Sequence, residues 1–127
     1  MKALLVKPNC VPEIIDLKNT LEDWYKYVGR PVEFVYPFKD RVAIICNEEG
    51  KLRQMAYNRP LVDDKGQVYD IITGNFLIVG LPPIEQDDGN ICSLSNYQLQ
   101  KFFMKYKTPY EFYLINNVLH ICPILSK

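Results

Sequence analysis

The sequence has little of what metal or redox chemistry needs. It contains one histidine and four cysteines in 127 residues, and no two cysteines form a Cys-x-x-Cys pair. A zinc site would have to gather ligands from distant parts of the chain, so we predict no metal site and no cofactor. Cys46 and Cys122 both follow apolar residues and are expected to be small buried side chains, not disulfide partners.

An excess of charge of either sign is also missing. Fifteen basic and fifteen acidic residues give a formal net charge of +0. A generic nucleic-acid binder needs surplus Lys and Arg to displace counterions from phosphates, so nucleic acid is not an expected partner. The same balance removes long-range repulsion between copies, which makes self-association an expected behaviour.

Long hydrophobic runs are absent too. No stretch is long enough to cross a bilayer, and the apolar residues at 1–6 are too short for a signal-peptide core. We therefore expect no membrane partner and a cytoplasmic location. What the sequence does contain is a globular mixture, with 48% hydrophobic residues and nine tyrosines.

Local patterns predict a single α+β domain over 1–127. Helices are predicted after Thr20, ending at Gly29, and after Ser95, where Gln98 completes a capping box. The segment 52–61 is predicted to be irregular. The predicted strands are 2–7, 13–17, 32–36, 41–46, 68–72, 76–79, 110–115 and 118–124.

The expected architecture is one antiparallel or mixed β-sheet covered by the two short helices. The core spans about residues 1–106, and 107–127 form a C-terminal hairpin extension. Asn116 and Asn117 suit the positive φ angles of a two-residue turn, which sets Leu114 against Leu119 and Tyr113 against His120.

Three short sequence motifs follow one another in the middle of the chain: CNEEGKL at 46–52, NRPL at 58–61 and YDIITGNF at 69–76. With the N-terminal hairpin and the helix after Ser95, they resemble a family of small proteins classed as a domain of unknown function, family 3846. The resemblance implies an origin in a phage, plasmid or other mobile element, and it brings no catalytic activity. The hairpin at 110–123 extends past the resembling part, which leaves open a gained binding surface or an oligomer contact.

The segment Asn58-Arg59-Pro60 is the strongest candidate for ligand binding. The proline restricts the backbone of Arg59 to extended conformations and so fixes how its side chain leaves the chain. A guanidinium held in this way suits bidentate capture of phosphate or carboxylate. The alternative is a surface arginine or an ion pair. The carboxylates that would serve as its partner are Asp63, Asp64 and Asp70.

A second candidate is Thr73-Gly74-Asn75, between two predicted strands. Glycine allows a close approach of backbone to ligand, and the flanking side chains can donate hydrogen bonds to a phosphate. The alternative is an ordinary hairpin turn. Tyr69 and Asp70 precede this segment on alternate faces of one strand, and Asp70 would need a partner if it pointed inward.

A third cluster is predicted on the C-terminal hairpin. Tyr113 lies opposite His120, with Glu111 diagonal to it, and a carboxylate can orient an imidazole for general-base catalysis. No nucleophile is tied to this cluster, since the only serines are Ser93, Ser95 and Ser126 and none of them stands in a nucleophile elbow. The alternative is an exposed or interfacial face of the hairpin.

These observations favour a non-catalytic accessory or counter-defence protein. As a homo-oligomer it would sequester a small anionic, nucleotide-derived ligand, with Arg59 and residues 73–75 on the phosphate and Trp24 or a tyrosine stacked on a base. The alternative is an inhibitor that docks on a host enzyme or defence complex through a sheet edge or the C-terminal hairpin. A third reading is an enzyme of unrecognised type that uses His120.

Overall fold

Nine β-strands and two α-helices make up residues 1–125, the part of the chain that this computed structural model describes. A short 3-10 helix spans Ile84–Gln86. The helices are α1 (Leu21–Val28) and α2 (Asn96–Tyr106). The strands are β1 (Lys2–Val6), β2 (Glu13–Asp16), β3 (Val32–Val35), β4 (Val42–Asn47), β5 (Tyr57–Val62), β6 (Val68–Thr73), β7 (Phe76–Gly80), β8 (Tyr110–Ile115) and β9 (Val118–Pro123).

Both helices begin where their capping residues predict, and α1 also ends at the predicted Gly29. The hydroxyl of Thr20 accepts the N–H of Asp23 at 3.3 Å, and Gly29 ends α1 with a φ of 73°. Ser95 and Gln98 form the reciprocal capping box of α2, with bonds of 2.9 and 3.1 Å. The caps satisfy N–H groups that the first turn of a helix leaves unpaired, so the two helix predictions are confirmed.

A five-stranded antiparallel sheet in the order β2-β1-β7-β4-β3 forms the centre of the fold. Every residue of β4 and β7 is buried, because helix α1 covers one face of the sheet while α2 and the β5–β6 pair cover the other. Strands covered on both faces are apolar at successive positions instead of alternating. The architecture confirms the predicted α+β class.

The predicted antiparallel sheet under two short helices is present, but it does not include every strand of the core, because β5 and β6 form a separate two-stranded sheet. Strands β8 and β9 pair only with each other, as predicted for the C-terminal hairpin extension. The turn at 73–75 joins β6 to β7, which pair in different sheets, so it is not a hairpin turn. An apolar pattern identifies a strand but does not specify its partner, and this is why the partition was not predicted.

The prediction that 52–61 is irregular is also wrong at its C-terminal end. Strand β5 runs through Asn58, Arg59 and Pro60 and pairs with β6, with register shifts between Tyr57 and Arg59 and between Leu61 and Val62. Proline is tolerated in such a strand because a two-stranded sheet has a free edge that needs no N–H donor.

The C-terminal hairpin, residues 110–123, has the predicted strands and register. Asn116 and Asn117 have φ angles of 50° and 64°, and Tyr113 lies opposite His120. Neither face of the hairpin is fully covered. Cys122 is therefore exposed and the expectation of burial was wrong for it, whereas Cys46, in the central sheet, is buried as predicted.

Candidate functional site

Arg59 is fully buried on β5, and its guanidinium is bonded to the chain itself. The Nε–H donates to the Tyr106 carbonyl at 3.3 Å. Nη1 donates to the side-chain and backbone oxygens of Asn58 at 2.8 and 3.4 Å, and Nη2 to the carbonyls of Tyr106 and Cys10. These five bonds account for all five guanidinium N–H groups, so none is left for direct bidentate capture of a phosphate.

The alternative of an exposed arginine in an ion pair is wrong. Arg59 has 0% exposure, and within residues 1–125 no carboxylate forms an ion pair with it. Asp70, one of the three carboxylates considered as its partner, pairs with the ammonium of Lys51. Burial lowers the pKa of Arg59 below its ordinary value, because charge is costly to remove from water.

Asn58 and Gly74 are in contact, and Thr73 lies beside them, opposite Tyr57 in the β5–β6 pair. The side-chain amide of Asn58 donates to the carbonyls of Val6 and Gly74 at 2.9 and 2.8 Å. Gly74 has a φ of 72°, and a Cβ there would lie 2.9 Å from the sulfur of Met55. The close approach that glycine permits is therefore to the protein's own chain.

Asn75 and Trp24 lie on the opposite face of the central sheet from Arg59. The side-chain amide of Asn75 donates to the Tyr27 carbonyl at 3.1 Å, and the indole N–H of Trp24 donates to Lys18 O at 3.1 Å. Both contacts belong to the α1 layer. Trp24 therefore cannot stack on a base whose phosphate lies beside Arg59 in the same chain.

Asp70 borders a cavity of about 120 Å³ between β4 and β6, which Glu33, Cys46, Lys51 and Thr73 also line. The Lys51 ammonium is neutralised by Asp70, so the cavity offers no unpaired cation to an anion. Burial, and then the Glu33 carboxylate, raise the pKa of Cys46 to about 12. This thiol stays protonated at neutral pH and is a poor nucleophile. Tyr69, the neighbour of Asp70, is exposed.

Glu111, Tyr113 and His120 are exposed together on one face of the C-terminal hairpin. The Tyr113 hydroxyl donates to the Glu111 carboxylate, and this bond raises the pKa of Tyr113. The carboxylate that was expected to orient the imidazole is thus bound to the phenol.

Asn47 was missed as a structural residue, although it stands in the motif at 46–52. Its side-chain amide donates to the carbonyls of Val28 and Arg30 at 3.2 and 3.4 Å, and its oxygen accepts the Glu49 N–H at 2.8 Å. It ties the end of α1 to β4. A polar residue directly after a run of buried strand residues was the available signal.

Four polar residues of the three motifs thus help to build the fold of a small α+β domain, because they donate to backbone carbonyls of other segments: Asn47, Asn58, Arg59 and Asn75. The family model for a domain of unknown function, DUF3846, matches residues 1–107, and the chain belongs to that family. No curated protein and no solved structure matches the chain. Within residues 1–125, no helix is long and apolar enough to span a membrane. The C-terminal hairpin lies outside the matched range.

Proposed function

We propose that this is a non-catalytic accessory protein of a phage or mobile element that acts by binding another protein through its C-terminal hairpin. The observation that supports this most is the exposure of the hairpin, in which no described residue is buried. At its tip Leu114 is 71% exposed, Ile115 52% and Val118 57%. Contiguous exposed apolar side chains are typical of protein contact sites.

The hairpin also has free backbone edges. The Ile124 N–H donates to the Pro109 carbonyl at 2.8 Å. Hydrogen-bonded and non-hydrogen-bonded residue pairs alternate along an antiparallel ladder, so this bond shows which residues of β9 point their N–H groups away from β8. Leu119 and Ile121 are two such residues, and their N–H groups face the outer edge of β9. Pro123 lacks an N–H and limits that edge to the part nearer the turn. A partner that presents an extended strand with apolar side chains fits this edge.

On the sequence alone, sequestration of a ligand ranks ahead of docking on a protein partner, and with the structure we place docking on a protein partner first. Sequestration of a nucleotide-derived ligand was expected to use free N–H groups of Arg59 for the phosphate and Trp24 or a tyrosine to stack on a base. Arg59 has none to offer, and Arg59 and Trp24 lie on opposite faces of the central sheet. Docking on a protein partner needs neither of them.

The test is quantitative capture from bacterial lysate with the Leu114→Ser/Val118→Ser variant. The control is Ile14→Ser/Met104→Ser, which removes two apolar side chains that are each 59% exposed elsewhere on the surface. We expect one protein to be retained in equal molar amount by the wild type and the control and lost by the hairpin variant. In the complex, hydrogen exchange at the amides of Leu119 and Ile121 should slow. Retention by the hairpin variant, or capture of a second copy of the chain alone, would overturn the proposal.

A further inference from the structure

A second feature of the surface is a concave pocket of about 100 Å³ between α2, β5 and the start of β8, which we call the Arg59 pocket. The rings of Phe38, Tyr106 and Tyr110 form its walls, and Lys105 and Arg59 also line it. No acidic residue does. This volume is below the range of ordinary small-molecule sites, and it suits one small oxyanion group and not a whole nucleotide.

Arg59 places an uncompensated positive charge behind this pocket. Its five hydrogen bonds all go to neutral carbonyl or amide oxygens. A buried ion is costly unless an opposite charge is close, and hydrogen bonds to neutral oxygens lessen that cost without removing the charge. An anion that entered the pocket would supply the missing opposite charge.

Lys105 adds a second positive charge at the pocket wall. Its ammonium lies 5.8 Å from the ring centre of Phe38 and 6.0 Å from that of Tyr106. Within residues 1–125 it forms no ion pair, whereas Lys101, one helical turn earlier, pairs with Asp40 at 2.7 Å. The pocket therefore combines two cations with apolar walls, an arrangement that strengthens attraction for an anion.

We propose that the Arg59 pocket binds a phosphate or carboxylate group. Lys105 contacts the anion directly, and Arg59 supplies fixed charge from behind without giving up its own hydrogen bonds. This site is separate from the C-terminal hairpin edge, so either proposal can fail without the other.

The test is a titration of the ¹⁵N-labelled protein with inorganic phosphate at constant ionic strength, followed by NMR. We expect saturable shifts of the Tyr106 and Tyr110 amides and of the Arg59 Nε–H. Lys105→Met should weaken binding at least ten-fold. The matched control, Lys107→Met, removes an exposed charge two residues away that does not line the pocket and should bind as the wild type does.

A parallel titration with acetate identifies the anion. Binding of phosphate alone, acetate alone or both supports the site and defines its class. Equal binding by Lys105→Met and the wild type would overturn the proposal, as would the absence of saturation with both anions. If phosphate stabilised Lys105→Met and the wild type equally, that stabilisation would be a general salt effect and would also count against the proposal.

Discussion

At the scale of single residues, four buried or half-buried polar side chains supply hydrogen bonds to backbone carbonyls in place of backbone donors. Asn47, Asn58, Arg59 and Asn75 each donate to carbonyls of other segments. The bonds of Arg59 cross 47 positions to Tyr106 and 49 to Cys10. A buried carbonyl without a donor is costly, so one side chain with several donors can hold several segments together.

Removal of the Arg59 guanidinium is expected to destabilise the fold. In Arg59→Met the carbonyls of Tyr106 and Cys10 lose their donor, and the free energy of unfolding should fall by about 2 to 4 kcal/mol. Urea denaturation measures this. Arg53→Met, which removes an exposed arginine paired with Glu49 in an i,i+4 contact, is the control and should change stability by about 0.5 kcal/mol or less. Equal stability of the two variants would contradict the structural role of Arg59.

At the scale of elements, the turn after β4 packs in close contact with the end of β6. A Cβ on Gly50 would overlap the hydroxyl of Thr73 more closely than any van der Waals contact allows. Gly50 has no positive φ. It is glycine because there is no room for a side chain where the two sheets meet.

Gly50→Ala is therefore expected to cost about 1 to 3 kcal/mol through overpacking. The additional change Thr73→Ala removes the overlapping hydroxyl and should recover part of that cost, a coupling of about 1 kcal/mol in a double-mutant cycle. Thermal or urea unfolding of the four proteins gives the result. If the two substitutions were additive, the contact would not be the cause.

The elements that short sequence motifs mark were predictable, but the pairing of the strands into sheets was not. Thr20 and Ser95 mark helix starts through short-range caps, and Asn116 marks a two-residue turn, so those elements have the expected bounds. Strand β5 was missed because Pro60 is a strand breaker in most sheets, and its acceptability depends on a free edge that only the tertiary pairing creates.

The residues of the candidate site were predictable from the sequence, but the groups that they contact were not. Arg59 was correctly singled out as a residue with a fixed direction, and Asn58, Thr73 and Gly74 do come together. The acceptors of Arg59, Tyr106 and Cys10, stand far away in the sequence and carry no pattern that points to it. A sequence can thus mark a constrained arginine without showing whether the constraint serves a ligand or the fold.

At the scale of the whole molecule, the chain divides into a family domain at 1–107 and the C-terminal hairpin. Contact between them includes the rings of Tyr57 and Phe112, 5.3 Å apart. Because the hairpin contributes no buried residue, the domain should keep its core without it. The central claim is that the domain supplies the scaffold and the hairpin supplies the contact with a protein partner.

The most direct measurement compares the full chain with a chain that ends at Thr108, in urea unfolding and in capture of the partner from lysate. We predict that the shortened chain unfolds in one cooperative transition, with a free energy of unfolding within about 2 kcal/mol of the full chain, since a two-stranded hairpin is only marginally stable alone. It should no longer retain the partner. A shortened chain that folds and still retains the partner would contradict the account, and so would one that cannot fold.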